Sequence, residues 1–159
     1  MAGILKIFSN TGADQFLGHS WIEYCPVDGM PVTYGTWGNA PTGSGNGLFE
    51  NLELGRDAIA CRVAYLSSEQ EIRLFEKIAQ YKRLGRQAWS FHRPCSAFAA
   101  DAWYCATGEW LTHRIGPVST PAVLAASIAE ANGGSALVIR ARIGSSPKIG
   151  STRKKPQQS

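Results

Sequence analysis

The sequence groups its strand-forming segments before its helix-forming segments, and this order limits the folds that the chain can adopt. Residues 4–8, 18–24, 31–37 and 60–66 are rich in β-branched and aromatic residues, as is typical of strands. The segments that follow residue 66 have the spacing of amphipathic helices. Strands followed by helices predict an α+β domain, in which an antiparallel sheet has helices packed against one face.

Three helices are predicted in the second half of the chain. Ser68-Glu69-Gln70-Glu71 matches a capping box and predicts a helix that runs to about residue 84 and stops at Gly85. Pro94 suits the first turn of a second helix, which should extend to about residue 106, with Gly108 as its stop. A third helix is predicted over residues 120–132, and residues 136–143 predict a last strand.

Length and composition indicate one compact domain with a short tail. The chain has 159 residues, 44% of them hydrophobic and 18% charged, which is enough for a core without metals or disulfides. We predict a single catalytic domain over residues 1–143 and a disordered basic tail over residues 144–159, which are rich in Gly, Ser, Pro and Lys. The Gly-rich residues 39–47 predict a mobile loop beside a cleft or a plain surface connection.

Several classes of protein are disfavoured by what the sequence lacks. No stretch approaches the roughly 20 apolar residues of a membrane span, and the N-terminus resembles a strand more than a signal peptide. We therefore predict a protein made in the cytoplasm without a signal peptide and without stable insertion into a membrane. No basic helix or aromatic-basic motif supports nucleic-acid binding.

Four cysteines lie far apart in the sequence, at positions 25, 61, 95 and 105. No Cys-x-x-Cys spacing is present, so a zinc site is not predicted, and no cofactor is implied. The cysteines look like individual thiols, although the sequence leaves one disulfide open.

Cys95 and His19 are the candidate catalytic pair. Cys95 falls in the first turn of a predicted helix, where free backbone N–H groups and the helix dipole stabilise a thiolate and an oxyanion. His19 lies in a predicted strand and could serve as the base. The alternative is that Cys95 is a buried small hydrophobe and His19 a hydrogen-bonded strand residue. His92 and His113 are predicted in loops as surface or capping residues, with His92 as a backup base.

A third polar group should orient the imidazole, and the predicted hairpin supplies candidates. If Asp28-Gly29 is a two-residue turn, Trp21 pairs with Thr36, and Glu23 pairs with Tyr34. All four residues would then share the face that carries His19, with Thr36 as the first choice, followed by Tyr34 and Glu23. A slip of one residue in the register would move the candidates on the opposing strand to the other face.

These motifs resemble one family of cysteine enzymes. Gly18-His19-Ser20-Trp21-Ile22 on an early strand and Pro94-Cys95-Ser96-Ala97-Phe98 at the start of a later helix resemble the circularly permuted NlpC-type, papain-like enzymes. That group includes the lecithin:retinol acyltransferase-like proteins. The permuted form is favoured because the histidine precedes the cysteine. The chain lacks the Asn-Cys-Glu-His-Phe run of the acyltransferase branch and an obvious second histidine on the third strand, which favours amide hydrolysis.

The resemblance implies a bacterial peptidase or amidase that cuts peptidoglycan peptides. A small version without a signal peptide is similar to the antibacterial effectors that type VI secretion systems deliver into the periplasm of a target cell, and such an effector implies an immunity protein as a partner. One alternative is an acyltransferase, thioesterase or deamidase on a lipid or protein, with Trp21, Trp37 and Phe49 lining an apolar groove. A second is a non-enzymatic module in which Trp37 and the Gly-rich loop bind a ligand.

Overall fold

A five-stranded antiparallel sheet forms the centre of the protein. The computed structural model describes residues 1–11 and 18–134, so the predicted last strand (136–143) and basic tail (144–159) lie outside the described residues. The sheet has the strand order β4-β3-β2-β1-β5. Its strands are β1 (Gly3–Asn10), β2 (His19–Pro26), β3 (Val32–Trp37), β4 (Gly47–Glu50) and β5 (Ala60–Leu66).

Three long helices follow the sheet in the sequence, and the α+β prediction is confirmed. A single helical turn, α1, lies between β3 and β4, and a 3-10 turn at Gly85–Ala88 follows α2. A two-stranded hairpin, β6 and β7, separates the last two helices. The bounds are α1 (Asn39–Thr42), α2 (Ser68–Arg83), α3 (Cys95–Thr107), β6 (Arg114–Ile115), β7 (Val118–Ser119) and α4 (Pro121–Ala131).

The helices α2, α3 and α4 cover one face of the sheet. Strand residues such as Ile7 and Ile22 share the main core cluster with Leu74, Phe98 and Leu124 of the three helices. The other face carries a smaller buried cluster of Phe8, Trp21, Ala58 and Cys61. Because side chains alternate between the faces along a strand, His19, the first residue of β2, lies on the same face of that strand as Trp21.

Local capping signals place the helices close to their predicted bounds. The cap of α2 is Ser67, one residue before the predicted Ser68: its hydroxyl accepts from the Gln70 amide, and the Gln70 side chain accepts from the Ser67 amide. Helix α3 ends at Gly108, whose φ of 75° lies in the left-handed region where glycine is favoured. Within the segment predicted only as a Gly-rich loop, α1 and the start of β4 form.

The predicted pairing of β2 with β3 was wrong by one residue. In the structure Ile22 is opposite Tyr34 and Glu23 is opposite Thr33. The strands are joined by residues 27–31 rather than by a two-residue turn at Asp28-Gly29, and a different loop length changes the register. This slip moves Tyr34 and Thr36 to the face opposite His19.

Three features can be stated for residues 1–11 and 18–134. None of their helices is long and apolar enough to cross a membrane. They contain no group of three or more His, Cys, Asp or Glu side chains placed to hold a metal ion. All four cysteines are free thiols, which answers the question of a disulfide that the sequence left open.

Candidate functional site

His19 and Glu53 form a buried pair at the start of β2. The His19 Nε2 atom lies 2.8 Å from Glu53 Oε1. His19 is 2% exposed and Glu53 is 1% exposed, so water does not compete for this hydrogen bond. A carboxylate on one ring nitrogen fixes the orientation of an imidazole and stabilises its charged form.

The Glu53 carboxylate is held on both of its oxygens. Trp37 Nε1 donates to Oε1 over 2.7 Å, and Thr33 Oγ1 donates to Oε2 over 2.8 Å. The Glu53 amide also donates to Thr33 Oγ1 over 3.4 Å. These donors satisfy a charge that would otherwise be costly to bury, and they fix the carboxylate in one orientation.

Cys95 is the first residue of α3, and its side chain is near enough to the imidazole to affect the pKa of His19. Burial would lower the pKa of His19, but its interactions with the Cys95 side chain and with Glu53, together with the negative charge of both groups, raise this pKa above its ordinary value. Because Nε2 is bound to Glu53, Nδ1 is the ring nitrogen left for the thiol. The sequence-predicted pair is therefore brought together, and Cys95 is 6% exposed.

The start of α3 also supplies hydrogen-bond donors beside the sulfur. Pro94 is the N-cap, and its carbonyl accepts from the amides of Ala97 and Phe98. The amides of Cys95 and Ser96 belong to the first turn of the helix, where the N–H groups have no carbonyl partner within the helix. They are suited to receive a negatively charged oxygen next to the nucleophile.

Two tryptophans enclose the imidazole. The centre of the Trp37 ring lies 3.8 Å from the centre of the His19 ring. The Trp21 ring stacks on the His19 ring, with 5.6 Å between the ring centres. The Arg56 guanidinium lies 5.3 Å from the centre of the Trp37 ring. Both tryptophans are buried, so they orient and shield the histidine. Substrate binding by either remains a prediction.

Gly35 leaves the space that the His19–Glu53 pair occupies. A Cβ atom on Gly35 would lie 2.0 Å from Glu53 Oε1 and 3.1 Å from His19 Nε2. Atoms cannot approach that closely, so no larger residue fits without moving the pair. Glu53 reaches the histidine across β3 only because this position has no side chain.

The three predicted orienting residues lie elsewhere. Tyr34 belongs to the main core cluster, and Thr36 shares its face of β3, with a buried hydroxyl that has no hydrogen-bond partner within residues 1–11 and 18–134. Glu23 accepts from Lys6 Nζ over 2.8 Å and from Cys25 Sγ over 3.4 Å. None of the three takes the position on His19 that Glu53 occupies.

Glu53 is the residue that sequence reasoning missed. It follows β4 in a turn, and its only sequence signal is an acidic residue between two leucines, Leu52 and Leu54. His113 lies in a loop, as predicted, but it is not a surface residue, because it is buried and its Nδ1 lies 2.8 Å from Ser119 Oγ. His92 is exposed in the turn before α3, as predicted.

The site thus contains a thiol, an imidazole, a carboxylate and helix N–H groups. Comparison with protein-family models, with curated proteins and with solved structures gives no match.

Proposed function

We propose that the protein is a cysteine hydrolase that cleaves amide bonds, with Cys95 as the nucleophile, His19 as the acid-base group and Glu53 as the residue that orients it. The observation that carries this proposal is the buried imidazole, which has Glu53 on Nε2 and interacts with Cys95. A free cysteine that serves only as a small hydrophobe needs neither partner. A nucleophile that interacts with a base, which is in turn oriented by a third group, is the arrangement that covalent catalysis uses.

Acylation follows from this geometry. The thiol proton passes to His19, and the thiolate attacks the carbonyl carbon of the substrate, forming a C–S bond while the carbonyl π electrons move to oxygen. The helix N–H groups at Cys95 and Ser96 stabilise that oxyanion. As the oxyanion collapses, the C–N bond breaks and the imidazolium donates its proton to the leaving nitrogen.

Hydrolysis of the thioester completes the cycle. His19 takes a proton from a water molecule as that water attacks the acyl carbon. The C–S bond then breaks, and the proton returns from the imidazolium to the sulfur. Glu53 accepts the Nε2 hydrogen throughout, so it keeps the ring in one orientation and balances its positive charge.

The proposed substrate is the peptide part of peptidoglycan. Support comes from the order of the pair, with the histidine on a strand before the cysteine on a helix, as in the permuted NlpC-type enzymes that the sequence resembles. The net charge of +4 would draw the chain to an anionic polymer such as peptidoglycan. Delivery into a target periplasm as an antibacterial effector, with an immunity protein as partner, belongs to the same proposal.

The test is mass-spectrometric mapping of peptidoglycan fragments after incubation with the wild-type protein and with Cys95→Ala, His19→Ala and Glu53→Gln. Two matched controls are available. Cys61→Ala removes another buried thiol, and Glu23→Gln neutralises another buried glutamate on the sheet.

New fragments should form with the wild-type protein and both controls. They should be absent with Cys95→Ala and His19→Ala and strongly reduced with Glu53→Gln. Equal fragmentation by all variants would overturn the catalytic assignment. No fragmentation by any protein would overturn the peptidoglycan substrate, and peptide, thioester and lipid substrates would then be compared with the same variants.

A further inference from the structure

A buried chain of hydrogen bonds begins at Ser96, the residue after the nucleophile. Ser96 Oγ lies 2.7 Å from Ser119 Oγ, and Ser119 Oγ lies 2.8 Å from His113 Nδ1. All three side chains are buried. The first turn of α3 is therefore tied by a side chain to β7.

A second buried chain begins at Ser20, the residue after the proposed base. Ser20 Oγ lies 2.8 Å from Ser9 Oγ, and Ser9 Oγ donates to the Pro121 carbonyl over 2.7 Å. A carbonyl can only accept, so the single hydroxyl proton of Ser9 goes to Pro121. Ser20 must then be the donor to Ser9, which leaves one consistent order of protons along the chain.

Both chains include a residue of one short segment, residues 119–121, where β7 joins α4. The Thr120 side chain caps α4 by accepting from the Val123 amide, and the Thr120 amide donates to the His113 carbonyl over 3.0 Å. Each of these three residues is thus hydrogen-bonded to another part of the fold. The same anchored segment holds the neighbour of Cys95 and, through Ser9, the neighbour of His19.

We propose that Ser119 and Ser9 are positioning residues that set the separation between the Cys95 sulfur and the His19 imidazole. This inference rests on the proposed function. Cys95 and His19 belong to elements that lie far apart in the sequence, and a misplacement of about 1 Å can cost a catalytic pair roughly 100-fold in rate. A rigid segment bonded beside both residues limits such displacement, and buried hydroxyl chains are well suited to this because each lost bond leaves an unsatisfied group.

The experiment measures the alkylation rate of Cys95 by iodoacetamide against pH, with the modified peptide resolved by mass spectrometry so that the other three cysteines do not interfere. The variants are Ser119→Ala and Ser9→Ala, which break different chains, and Ser119→Thr, which keeps the hydroxyl. The control is Thr107→Val. It removes a hydroxyl that donates to Trp103 O over 2.8 Å at the far end of the same helix, about 18 Å from Cys95 at 1.5 Å per residue.

Ser119→Ala and Ser9→Ala should each slow alkylation near neutral pH by at least about tenfold and move the pH profile towards that of an ordinary thiol. Thr107→Val and Ser119→Thr should keep the wild-type profile, and denaturant unfolding should show that the loss of reactivity does not follow the loss of stability. Unchanged profiles in both alanine variants would overturn the positioning role. Because each chain is broken by its own variant, one misfolded variant leaves the other decisive.

The wild-type profile reports separately on the proposed function. If wild-type Cys95 reacts like an ordinary thiol, the cysteine hydrolase proposal fails, and the positioning proposal fails with it. If wild-type Cys95 is activated and the alanine variants match it, only the positioning proposal is overturned.

Discussion

His19 Nε2 and Glu53 Oε1 lie 2.8 Å apart, although the histidine begins β2 and the glutamate lies in a turn after β4. Strand β3 stands between these two strands in the sheet. The carboxylate therefore reaches the imidazole across β3, at the position where Gly35 has no side chain. The proposed catalytic function depends on this missing side chain as much as on the two residues themselves.

Gly35→Ala should disrupt the site. The added methyl group would lie 2.0 Å from Glu53 Oε1, so the carboxylate must move away from the histidine. We expect a loss of about 1–3 kcal/mol in the free energy of unfolding, as for other overpacked positions, together with a loss of hydrolysis. Urea denaturation and a fragment assay would measure the two effects.

Gly47→Ala is the matched control for this substitution. Gly47 lies in the neighbouring strand β4, and the nearest atom to an added Cβ is the Gly85 carbonyl oxygen at 3.6 Å, an ordinary contact distance. Its activity should remain close to that of the wild type. A Gly35→Ala protein as active and as stable as Gly47→Ala would contradict the described packing of Glu53.

Glu53→Gln should lower the pKa of His19. This pKa is raised because the interactions of the imidazole with Cys95 and Glu53 outweigh the effect of burial, so loss of the carboxylate charge removes part of the increase. NMR titration of the His19 ring protons would give the value directly. Cys95→Ala should lower it too, since the Cys95 side chain contributes to the same increase.

Glu23→Gln provides the comparison for this titration. Glu23 is also buried, but it binds Lys6 and Cys25 instead of the histidine. A shift of the His19 titration as large in Glu23→Gln as in Glu53→Gln would mean that the effect comes from charge at a distance. We expect hydrolysis to fall by roughly 100-fold in Glu53→Gln only, as for loss of a group that supports acid-base catalysis.

The parts of the fold that local signals control were predictable from the sequence. The strand Ala60–Leu66 has its predicted bounds, and α3 ends before Gly108, because apolar alternation and a left-handed glycine act within a few residues. The sequence predicted the pairing of Cys95 with His19 from the chemistry of the two residue types, not from their positions in space. A cysteine at a helix start and a histidine on a strand suggest a pair, but the fold alone brings them together.

The orienting residue could not be predicted in the same way. The choice of Thr36 depended on the register of the hairpin formed by β2 and β3. This hairpin has a five-residue connection instead of a two-residue turn, and the changed register places Thr36 on the face of β3 opposite to the predicted one. Glu53 reaches the site from a turn, where no periodicity fixes the direction of a side chain. Its role depends on Thr33, Gly35 and Trp37 sharing one face, which becomes visible only once that register is known.

Cys95 should be more reactive than Cys25 and Cys61 near neutral pH. Burial and the nearby Glu23 raise the pKa of Cys25, and burial raises the pKa of Cys61 to about 11, so neither forms a thiolate readily. Cys95 can instead transfer its proton to His19. Iodoacetamide at about pH 6, followed by peptide mapping, should label Cys95 before Cys25 and Cys61, and His19→Ala should abolish this preference. Preferential labelling of Cys61 would contradict the assignment.

The two buried histidines, His19 and His113, should change the pH dependence of the free energy of unfolding in opposite directions. The pKa of His19 is raised in the folded state, so a charged His19 stabilises the fold. This contribution to the free energy of unfolding is complete below the pKa of the unfolded chain, near 6.5, and disappears as the pH rises through the folded pKa. The pKa of His113 is lowered, first by burial and then by Arg114, against a smaller opposing effect of Asp101. Protonation of His113 therefore favours the unfolded chain, and its contribution falls as the pH drops below about 6.5.

Urea denaturation from about pH 5 to about pH 9 would test both signs, with wild type compared with His19→Gln and His113→Gln. The stability of the wild type relative to His19→Gln should decrease as the pH rises, whereas its stability relative to His113→Gln should increase. The two variants control for each other, because each replaces a buried histidine with the same neutral residue. Parallel pH dependences would show that Cys95 and Glu53 do not hold the His19 imidazole in its charged form.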